Sequence, residues 1–254
     1  MRIVTFLTAE LISFVSNWAC HIDRTNANAS VQIHTVGFRC DRLEPWLRPR
    51  CVERVYAQAK SHVPGADVVY KSKPYLLFFR WRLNATKDLV ARAPPGESIA
   101  FLDVDVVVRA SLTQLLKPKA DVIFARDRCT GNVLNGGVVV FRSSPTSLAF
   151  LKYAQKALLA GKTYDGGDQG AYQTAFKRFK TGVSLLPCNL SAPGPHLNHP
   201  LTDGLVTMHF NWLRHSVEKR QCMGRAGVWV FDGTLCTPFD GNSKAITIRK
   251  QKCK

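Results

Sequence analysis

Two aspartates, Asp103 and Asp105, interrupt an apolar run that reads IAFLDVDVVVR over residues 99–109. A run so rich in valine, isoleucine and phenylalanine predicts a strand buried on both faces of a mostly parallel sheet. Because side chains alternate along a strand, both carboxylates would lie on one side, where burial without a cation is costly. Their placement at the carboxyl end of the strand removes that conflict, since open α/β sheets bind ligands just beyond those ends.

Paired carboxylates in this setting predict a site for Mg²⁺ or Mn²⁺, ions that keep further coordination positions for water and phosphate oxygens. An Asp-x-Asp pair also arises by chance in loops and at sheet edges. The apolar surroundings favour the metal interpretation, because few structural roles need two acids inside such a run. We therefore expect Asp103 and Asp105 to hold a divalent ion against a diphosphate.

The elements that must position this pair alternate between strand and helix along the first half of the chain. Patterns of apolar residues predict strands at 2–8, 31–37 and 66–70 and helices at 10–20, 49–61 and 76–91. This order is typical of a nucleotide-binding sheet. The helix at 76–91 leads the chain into the acidic strand.

The second half continues the alternation. Strands are predicted at 121–126, 134–141, 183–187 and 205–210, with helices at 144–160 and from a loop at 164–169 to about residue 179. Residues 224–248 fit either a hairpin or a meandering cap. No internal repeat or low-complexity linker interrupts the 254 residues, so we expect a single α/β domain over 1–254.

The formal net charge of +17 predicts a strong positive field that attracts nucleotide diphosphates, anionic lipids or nucleic acid. Zinc-finger, aromatic RNA-binding and basic-zipper motifs are missing from the sequence, so we expect no nucleic-acid partner. Peripheral association with an anionic membrane stays open. No apolar stretch reaches the ~18 residues of a membrane span, and the N-terminal segment carries Glu10 inside its apolar part, unlike a signal peptide.

Eight cysteines form no Cys-x-x-Cys pair and have no histidines at zinc-ligand spacing. We interpret most of them as free thiols. With no convincing signal peptide, this interpretation favours a reducing compartment and a cytoplasmic location.

Four features occur in an order that resembles nucleotide-sugar glycosyltransferases of the A-type (GT-A) fold. They are the Asp103-Val104-Asp105 strand, the Asn135-Gly136-Gly137 turn before a strand, the Asp168-Gln169 pair at a helix start, and the late His209. The sequence is similar to glycogenin-like enzymes and to plant and algal cell-wall xylosyl- and galactosyltransferases. The resemblance implies a Rossmann-like, mostly parallel central sheet flanked by helices. Within it we expect a nucleotide-binding half at 1–110, a sugar and acceptor half at 111–248, and a basic tail at 249–254.

The resemblance also implies roles for individual residues. Asp103 would lie near the ribose and the metal, Asp105 would be the principal metal ligand, and His209 would be the third. A borderline ion such as Mn²⁺ accepts imidazole together with carboxylate oxygen. Lys219 lies ten residues after His209, where glycogenin-like relatives place a lysine on the diphosphate, although their usual glycine and Lys-Pro-Trp context is missing here.

Four segments are expected to contact the donor. Asn135, Gly136 and Gly137 suit close passage of backbone beside a bound sugar, although an ordinary turn or bulge explains them as well. Asp168 and Gln169 would meet sugar hydroxyls or the anomeric centre, or would instead cap the helix that they begin. We expect the nucleotide or its phosphates to contact Thr8 and Ala9 at the end of the first strand. Arg80 and Lys87, on one face of the helix at 76–91, are expected to contact them as well.

The expected activity is metal-dependent transfer of a hexosyl or pentosyl group from a nucleoside diphosphate sugar, most simply a UDP-sugar. The acceptor would be a hydroxyl of a glycan, a protein or a small molecule. The resemblance favours retention of anomeric configuration, whereas inversion would make Asp168 the candidate base. A metal-dependent nucleotidyltransferase and a non-catalytic polyanion-binding module are the alternatives.

Overall fold

The computed structural model describes residues 1–54, 73–193, 204–210, 216–233 and 236. Its ten strands are β1 (Arg2–Leu7), β2 (Ser30–Val36), β3 (Cys51–Arg54), β4 (Ser98–Leu102), β5 (Val106–Val108), β6 (Val122–Arg126), β7 (Leu134–Arg142), β8 (Val183–Leu185), β9 (Ser191–Pro193) and β10 (Thr207–His209). The α-helices are α1 (Ile12–Thr25), α2 (Lys73–Arg92), α3 (Pro145–Leu159), α4 (Asp168–Arg178) and α5 (Ser216–Arg225). These elements confirm the predicted α/β class.

Seven strands form a central sheet in the order β3-β2-β1-β4-β7-β6-β8. All of them run in one direction except β7, which is antiparallel to both β4 and β6. A second sheet has the order β5-β10-β9. Because β1, β2 and β4 are parallel neighbours, their carboxyl ends meet at one edge of the large sheet, as predicted for the ligand-binding edge.

Both faces of the central sheet are covered by helices, which explains why its inner strands are mostly apolar. Ile3 of β1 packs with Phe14 and Trp18 of α1 on one face. The next residue, Val4, packs with Leu83 of α2 and Phe150 of α3 on the other face. Successive side chains of a strand point to opposite faces, so apolar residues are favoured at consecutive positions rather than at alternate ones.

The acidic segment is not the continuous strand that its composition predicted. Strand β4 ends at Leu102, the chain turns through residues 103–105, and β5 then joins the smaller sheet beside β10. The turn is closed by the Val106 N–H, which donates to the Asp103 carbonyl at 3.0 Å. The physical reason is that two carboxylates cannot continue inside a strand whose faces are both packed against apolar side chains.

The helix predicted at 49–61 is also wrong over its described part. Residues Pro45–Arg50 form a 3₁₀ helix, and Cys51–Arg54 form an edge strand that pairs with β2. Residues 55–61 of that helix and the strand predicted at 66–70 lie outside the described residues. Pro49 and the disulfide between Cys40 and Cys51 favour this short, tied connection over a regular helix.

The cysteines that the structure describes are paired, contrary to the prediction of free thiols. Disulfides join Cys20 to Cys236, Cys40 to Cys51 and Cys129 to Cys188, and no cysteine in the described part of the chain is free. Spacing could not reveal these pairs, because partners up to 216 residues apart are brought together only by the fold. Disulfides are typical of oxidising compartments. Their presence removes the argument for a reducing compartment that was based on free thiols.

Several predictions for the second half are confirmed. Helix α3 begins as expected, with the Ser144 hydroxyl accepting from the Ser147 N–H at 3.1 Å and Pro145 in the first turn.

The segment predicted as a hairpin or cap from residue 224 begins instead within α5, and an isolated bridge between Phe231 and Cys236 follows. Across the helices that the structure describes, none combines the length and apolarity required to span a bilayer.

Acid should destabilise the fold through His34, which is buried in β2. Its Nδ1 accepts from the Arg54 Nε at 3.0 Å, and burial together with Arg54 lowers the pKa of His34 to about 3. The unfolded chain binds a proton near pH 6.5, so stability falls as the pH drops from about 6.5 towards 3. The slope of the free energy of unfolding against pH should therefore be less steep in the His34→Gln variant, by up to about 1.4 kcal/mol per pH unit.

Urea unfolding at pH 7, 6, 5 and 4 measures the slope for the wild type and for the His34→Gln variant. The glutamine oxygen keeps an acceptor for Arg54 but takes up no proton. Parallel stability curves for the two proteins over this range would contradict the assignment.

Candidate active site

Three potential metal ligands converge where the two sheets meet. His209 Nε2 lies 3.2 Å from Asp105 Oδ1 and 3.7 Å from Asp103 Oδ2. Residues Asp103 and Asp105 lie in the turn after β4, and His209 ends β10 of the smaller sheet. The side chains of Asp105 and His209 are nearly buried, whereas that of Asp103 is 31% exposed. The group is therefore open to a ligand on the Asp103 side.

A hydrogen-bond relay fixes the tautomer of His209. Asn135 Oδ1 lies 2.8 Å from His209 Nδ1 and also accepts from the Gly137 N–H at 2.9 Å. The amide of Asn135 is itself oriented, because its Nδ2 donates to Asp127 Oδ1 at 3.3 Å. The neutral imidazole of His209 therefore carries its proton on Nδ1, and its Nε2 is then available to a cation that binds beside the two aspartates.

The two glycines after Asn135 allow other side chains to approach the backbone. A Cβ on Gly137 would lie 2.6 Å from His209 Nδ1 and 2.7 Å from Asp103 Oδ2, and one on Gly136 would lie 3.2 Å from Gln169 Cβ. These residues lie within β7 at an irregularity opposite β6, so the predicted turn before the strand is wrong. In the structure the glycines are explained by the packing of the protein's own side chains.

Arg82 is the member of this cluster that the sequence analysis missed. Its guanidinium lies 2.8 Å from Asp103 Oδ1 and 3.1 Å from Asp168 Oδ2, and it donates to the Gly136 carbonyl at 3.1 Å. Burial would lower the pKa of Arg82, but the two carboxylates outweigh burial and raise it. The available signal was its position three residues after Phe79, where a cation falls on the apolar face of α2.

Asp168 and Gln169 begin α4 and face this cluster. Helix capping, the alternative role for Asp168, is carried out by Asp165, whose carboxylate accepts from the Gly167 and Gly170 N–H groups. Burial raises the pKa of Asp168 to about 7, even though Arg82 acts in the opposite direction. Gln169 accepts from the Gly136 N–H at 3.0 Å.

Lys219 of α5 reaches the predicted metal ligands. Its Nζ lies 2.5 Å from Asp105 Oδ2, and the ion pair is largely buried. Burial alone would raise the pKa of Asp105, but Lys219 and His209 hold that pKa well below its usual range. A carboxylate kept ionised in this way suits cation binding.

The other predicted nucleotide contacts lie outside this cluster. Thr8 and Ala9 follow the carboxyl end of β1, at the same edge of the sheet as Asp103. Arg80 is exposed on α2, and Lys87 donates to Gln155 of α3 at 3.1 Å. The structure therefore brings Arg82, and neither Arg80 nor Lys87, to the aspartates.

Loss of the Asn135 acceptor should weaken binding of a divalent ion. In Asn135→Leu the imidazole no longer has a partner that fixes its tautomer, and we expect Mn²⁺ affinity to fall about ten- to a hundred-fold. Titration of Mn²⁺ followed by electron paramagnetic resonance measures the change, with Asn84→Leu on the exposed surface of α2 as the matched control. Equal affinities in the two variants would show that Asn135 does not orient His209.

Comparison with known proteins assigns the chain to a family. A family model described as nucleotide-diphospho-sugar transferase matches residues 40–223, which is well over half of the chain. The chain belongs to this family. No curated protein sequence is similar enough to this transferase to count as a match.

Solved structures with the same fold are glycosyltransferases. The galactosyltransferase LgtC in complex with donor and acceptor sugar analogues is 14% identical with a TM-score of 0.55, and the match covers 83% of this transferase and 87% of LgtC. GlyE of Streptococcus pneumoniae TIGR4 is 15% identical with a TM-score of 0.56, covering 85% and 57% of the two chains. The bifunctional glycosyltransferase WbbM is 14% identical with a TM-score of 0.57, covering 85% and 46%. These neighbours confirm the predicted GT-A fold.

Proposed function

We propose that this transferase moves a sugar from a nucleoside diphosphate sugar to a hydroxyl acceptor in a reaction that depends on Mn²⁺ or Mg²⁺. The observation that carries the proposal is the convergence of Asp103, Asp105 and His209 at the ligand-binding edge of the sheet. Family membership supports the nucleotide-sugar donor. UDP is the donor nucleotide that the resemblance to glycogenin-like enzymes favours.

The residues present fit a divalent ion. Two carboxylate oxygens and one imidazole nitrogen form a mixed ligand set that suits Mn²⁺ better than Mg²⁺, and the Asn135 relay selects the neutral tautomer whose Nε2 can bind the ion. A bound ion would neutralise charge on the departing diphosphate. Lys219 lies beside Asp105 and adds a second positive charge for the same leaving group.

Arg82, Asp168 and Gln169 form the proposed sugar side of the site. Arg82 holds Asp103 and Asp168 at fixed positions on either side of its guanidinium. The carboxylate of Asp168 is only 4% exposed and is paired with this cation, so an incoming acceptor hydroxyl would have little access to it for proton transfer. This burial supports retention. One of the similar structures is an active-site glutamine variant of LgtC, which supports a role for Gln169 beside the sugar.

A donor screen with purified protein tests the proposal. Each nucleotide sugar is incubated with Mn²⁺, with Mg²⁺ or with a chelator, and release of the nucleoside diphosphate and of inorganic pyrophosphate is measured separately. We expect metal-dependent release of a nucleoside diphosphate from at least one UDP-sugar. Pyrophosphate release would indicate nucleotidyl transfer, and identical rates with and without the chelator would contradict metal dependence. The anomeric configuration of the product, read by proton NMR, tests retention.

The disulfides support a proposal for the compartment in which the transferase acts. We propose an oxidising compartment, because pairs such as Cys20–Cys236 and Cys129–Cys188 do not persist in a glutathione-reduced cytosol. Mass spectrometry of the native protein after alkylation of free thiols tests this assignment. Full alkylation of these four cysteines would restore the predicted cytoplasmic location.

A further inference from the structure

The outer surface of α3 and α4 is uniformly cationic. Between residues 144 and 182 the chain has eight charged side chains, of which the two acids, Asp165 and Asp168, are buried. The six cations are all exposed and will be called the basic face: Lys152, Lys156, Lys162, Lys177, Arg178 and Lys180. None of the six forms an ion pair with a carboxylate among the residues that the structure describes.

Antiparallel packing of the two helices gathers these cations into one surface. Thr174 of α4 donates to the carbonyl of Lys162, and the Arg178 guanidinium lies 5.5 Å from the ring centre of Tyr153 in α3. The C-terminal half of α4 therefore lies along the second half of α3. Lys152 and Lys156 are one helical turn apart and share a face of α3.

The basic face also contains an exposed apolar side chain. Leu159 is 61% exposed and lies three residues after Lys156, on the same side of α3. On the neighbouring helix α2, the exposed acid Asp88 is accompanied by the exposed cation Arg92. The surroundings therefore do not cancel the positive charge of the basic face.

We propose that the basic face binds an anionic phospholipid surface. Five of its six cations are lysines, whose point charges suit diffuse attraction to lipid headgroups, whereas arginine suits bidentate recognition of single sulfates or carboxylates. Leu159 gains from contact with lipid and gains little from a hydrated polyanion. Asp168 and Arg178 lie at opposite ends of α4, about 15 Å apart along its axis, so membrane contact leaves the carboxylate cluster accessible.

Sedimentation with vesicles tests this proposal on the full chain, independently of any sugar transfer. We expect binding to vesicles with about 30% phosphatidylglycerol and not to pure phosphatidylcholine, with a strong decrease at higher salt. Lys152→Gln with Lys156→Gln should lower partitioning about 25-fold, or about five-fold for each charge. Arg24→Gln with Lys117→Gln, on the α1 side of the sheet, is the control with the same net charge and should change partitioning less than about two-fold.

Leu159→Ser distinguishes a membrane from a soluble polyanion. Its partitioning into anionic vesicles should fall about three-fold, while its weak binding to polygalacturonate should be unchanged. If partitioning into anionic vesicles falls equally in the two double variants, net charge alone explains the binding and the proposal is overturned. Binding to polygalacturonate that exceeds vesicle binding and needs Lys152 and Lys156 would assign the basic face to an acidic polysaccharide instead. A negative result for vesicle binding would not change the outcome of the donor screen, because the screen measures nucleotide release without vesicles.

Discussion

Replacing Asp105 with asparagine should reduce sugar transfer about a thousand-fold or more. The substitution keeps the size of the side chain but removes the charge that His209 and Lys219 surround. A site that stabilises charge on a departing diphosphate loses most of its effect when the ligand to the cation is lost. The measurement is kcat/KM for the donor found in the screen, at saturating Mn²⁺.

Two comparisons make this result specific to the site. Asp41→Asn removes an exposed carboxylate elsewhere on the surface and should leave kcat/KM within about two-fold of the wild type. Thermal unfolding of Asp105→Asn shows whether the protein is folded when activity is measured. A folded Asp105→Asn protein with at least a tenth of wild-type activity would contradict the role of Asp105.

Replacing Arg82 with methionine should both destabilise the protein and abolish transfer. Methionine fills a similar volume but leaves Asp103 and Asp168 facing each other with no cation between them. Removing one partner from a buried ion pair costs about 3–5 kcal/mol, which corresponds to a fall in Tm of about 6–20 °C for a chain of this size. Differential scanning calorimetry measures this shift, and Arg92→Met at the exposed end of α2 is the control.

A double variant separates stability from activity at this position. Arg82→Met with Asp168→Asn removes one uncompensated carboxylate, so we expect it to recover about half of the lost stability. It should remain inactive, because neither the cation nor the sugar-facing carboxylate is restored. The single variants Arg82→Met and Asp168→Asn are measured alongside the double variant. If the loss of stability in the double variant equals the sum of the two single losses, Arg82 and Asp168 are not energetically coupled.

The parts of the fold that depend on local pattern could be predicted from the sequence. Helix α3 has a serine cap, a proline in its first turn and apolar residues at helical spacing, and these signals all lie within a few residues of one another. Strand β1 is recognisable because six consecutive residues must fill a sheet covered on both faces. The order of Asp103, Asp168 and His209 along the chain was sufficient to predict the superfamily.

The parts that depend on distant contacts could not be predicted. A run of apolar residues does not show that the chain leaves one sheet at Leu102 and enters another at Val106, because both strands are buried. The disulfide partner of Cys20 lies 216 residues away. Gly137 was expected beside a bound sugar, and only the fold shows that His209 and Asp103 occupy the space next to it.

Charge placement explains why Arg82 was missed while Arg80 and Lys87 were predicted. Cations near a predicted phosphate site are normally sought on an exposed helix face, and spacing alone selects Arg80 and Lys87. Arg82 lies on the buried face, where its desolvation is offset only because two carboxylates and a carbonyl from other elements surround it. A charged residue within an apolar stripe is therefore the more informative signal.

The central claim is that Asp103, Asp105 and His209 together hold a divalent ion against the diphosphate of the donor. Pulsed electron–nuclear double resonance on Mn²⁺ bound in the presence of UDP measures this directly. The account predicts hyperfine coupling to phosphorus and to one imidazole nitrogen, with the nitrogen coupling lost in His209→Gln. Bound Mn²⁺ that shows no imidazole coupling in the wild type, or an unchanged spectrum in His209→Gln, would contradict it.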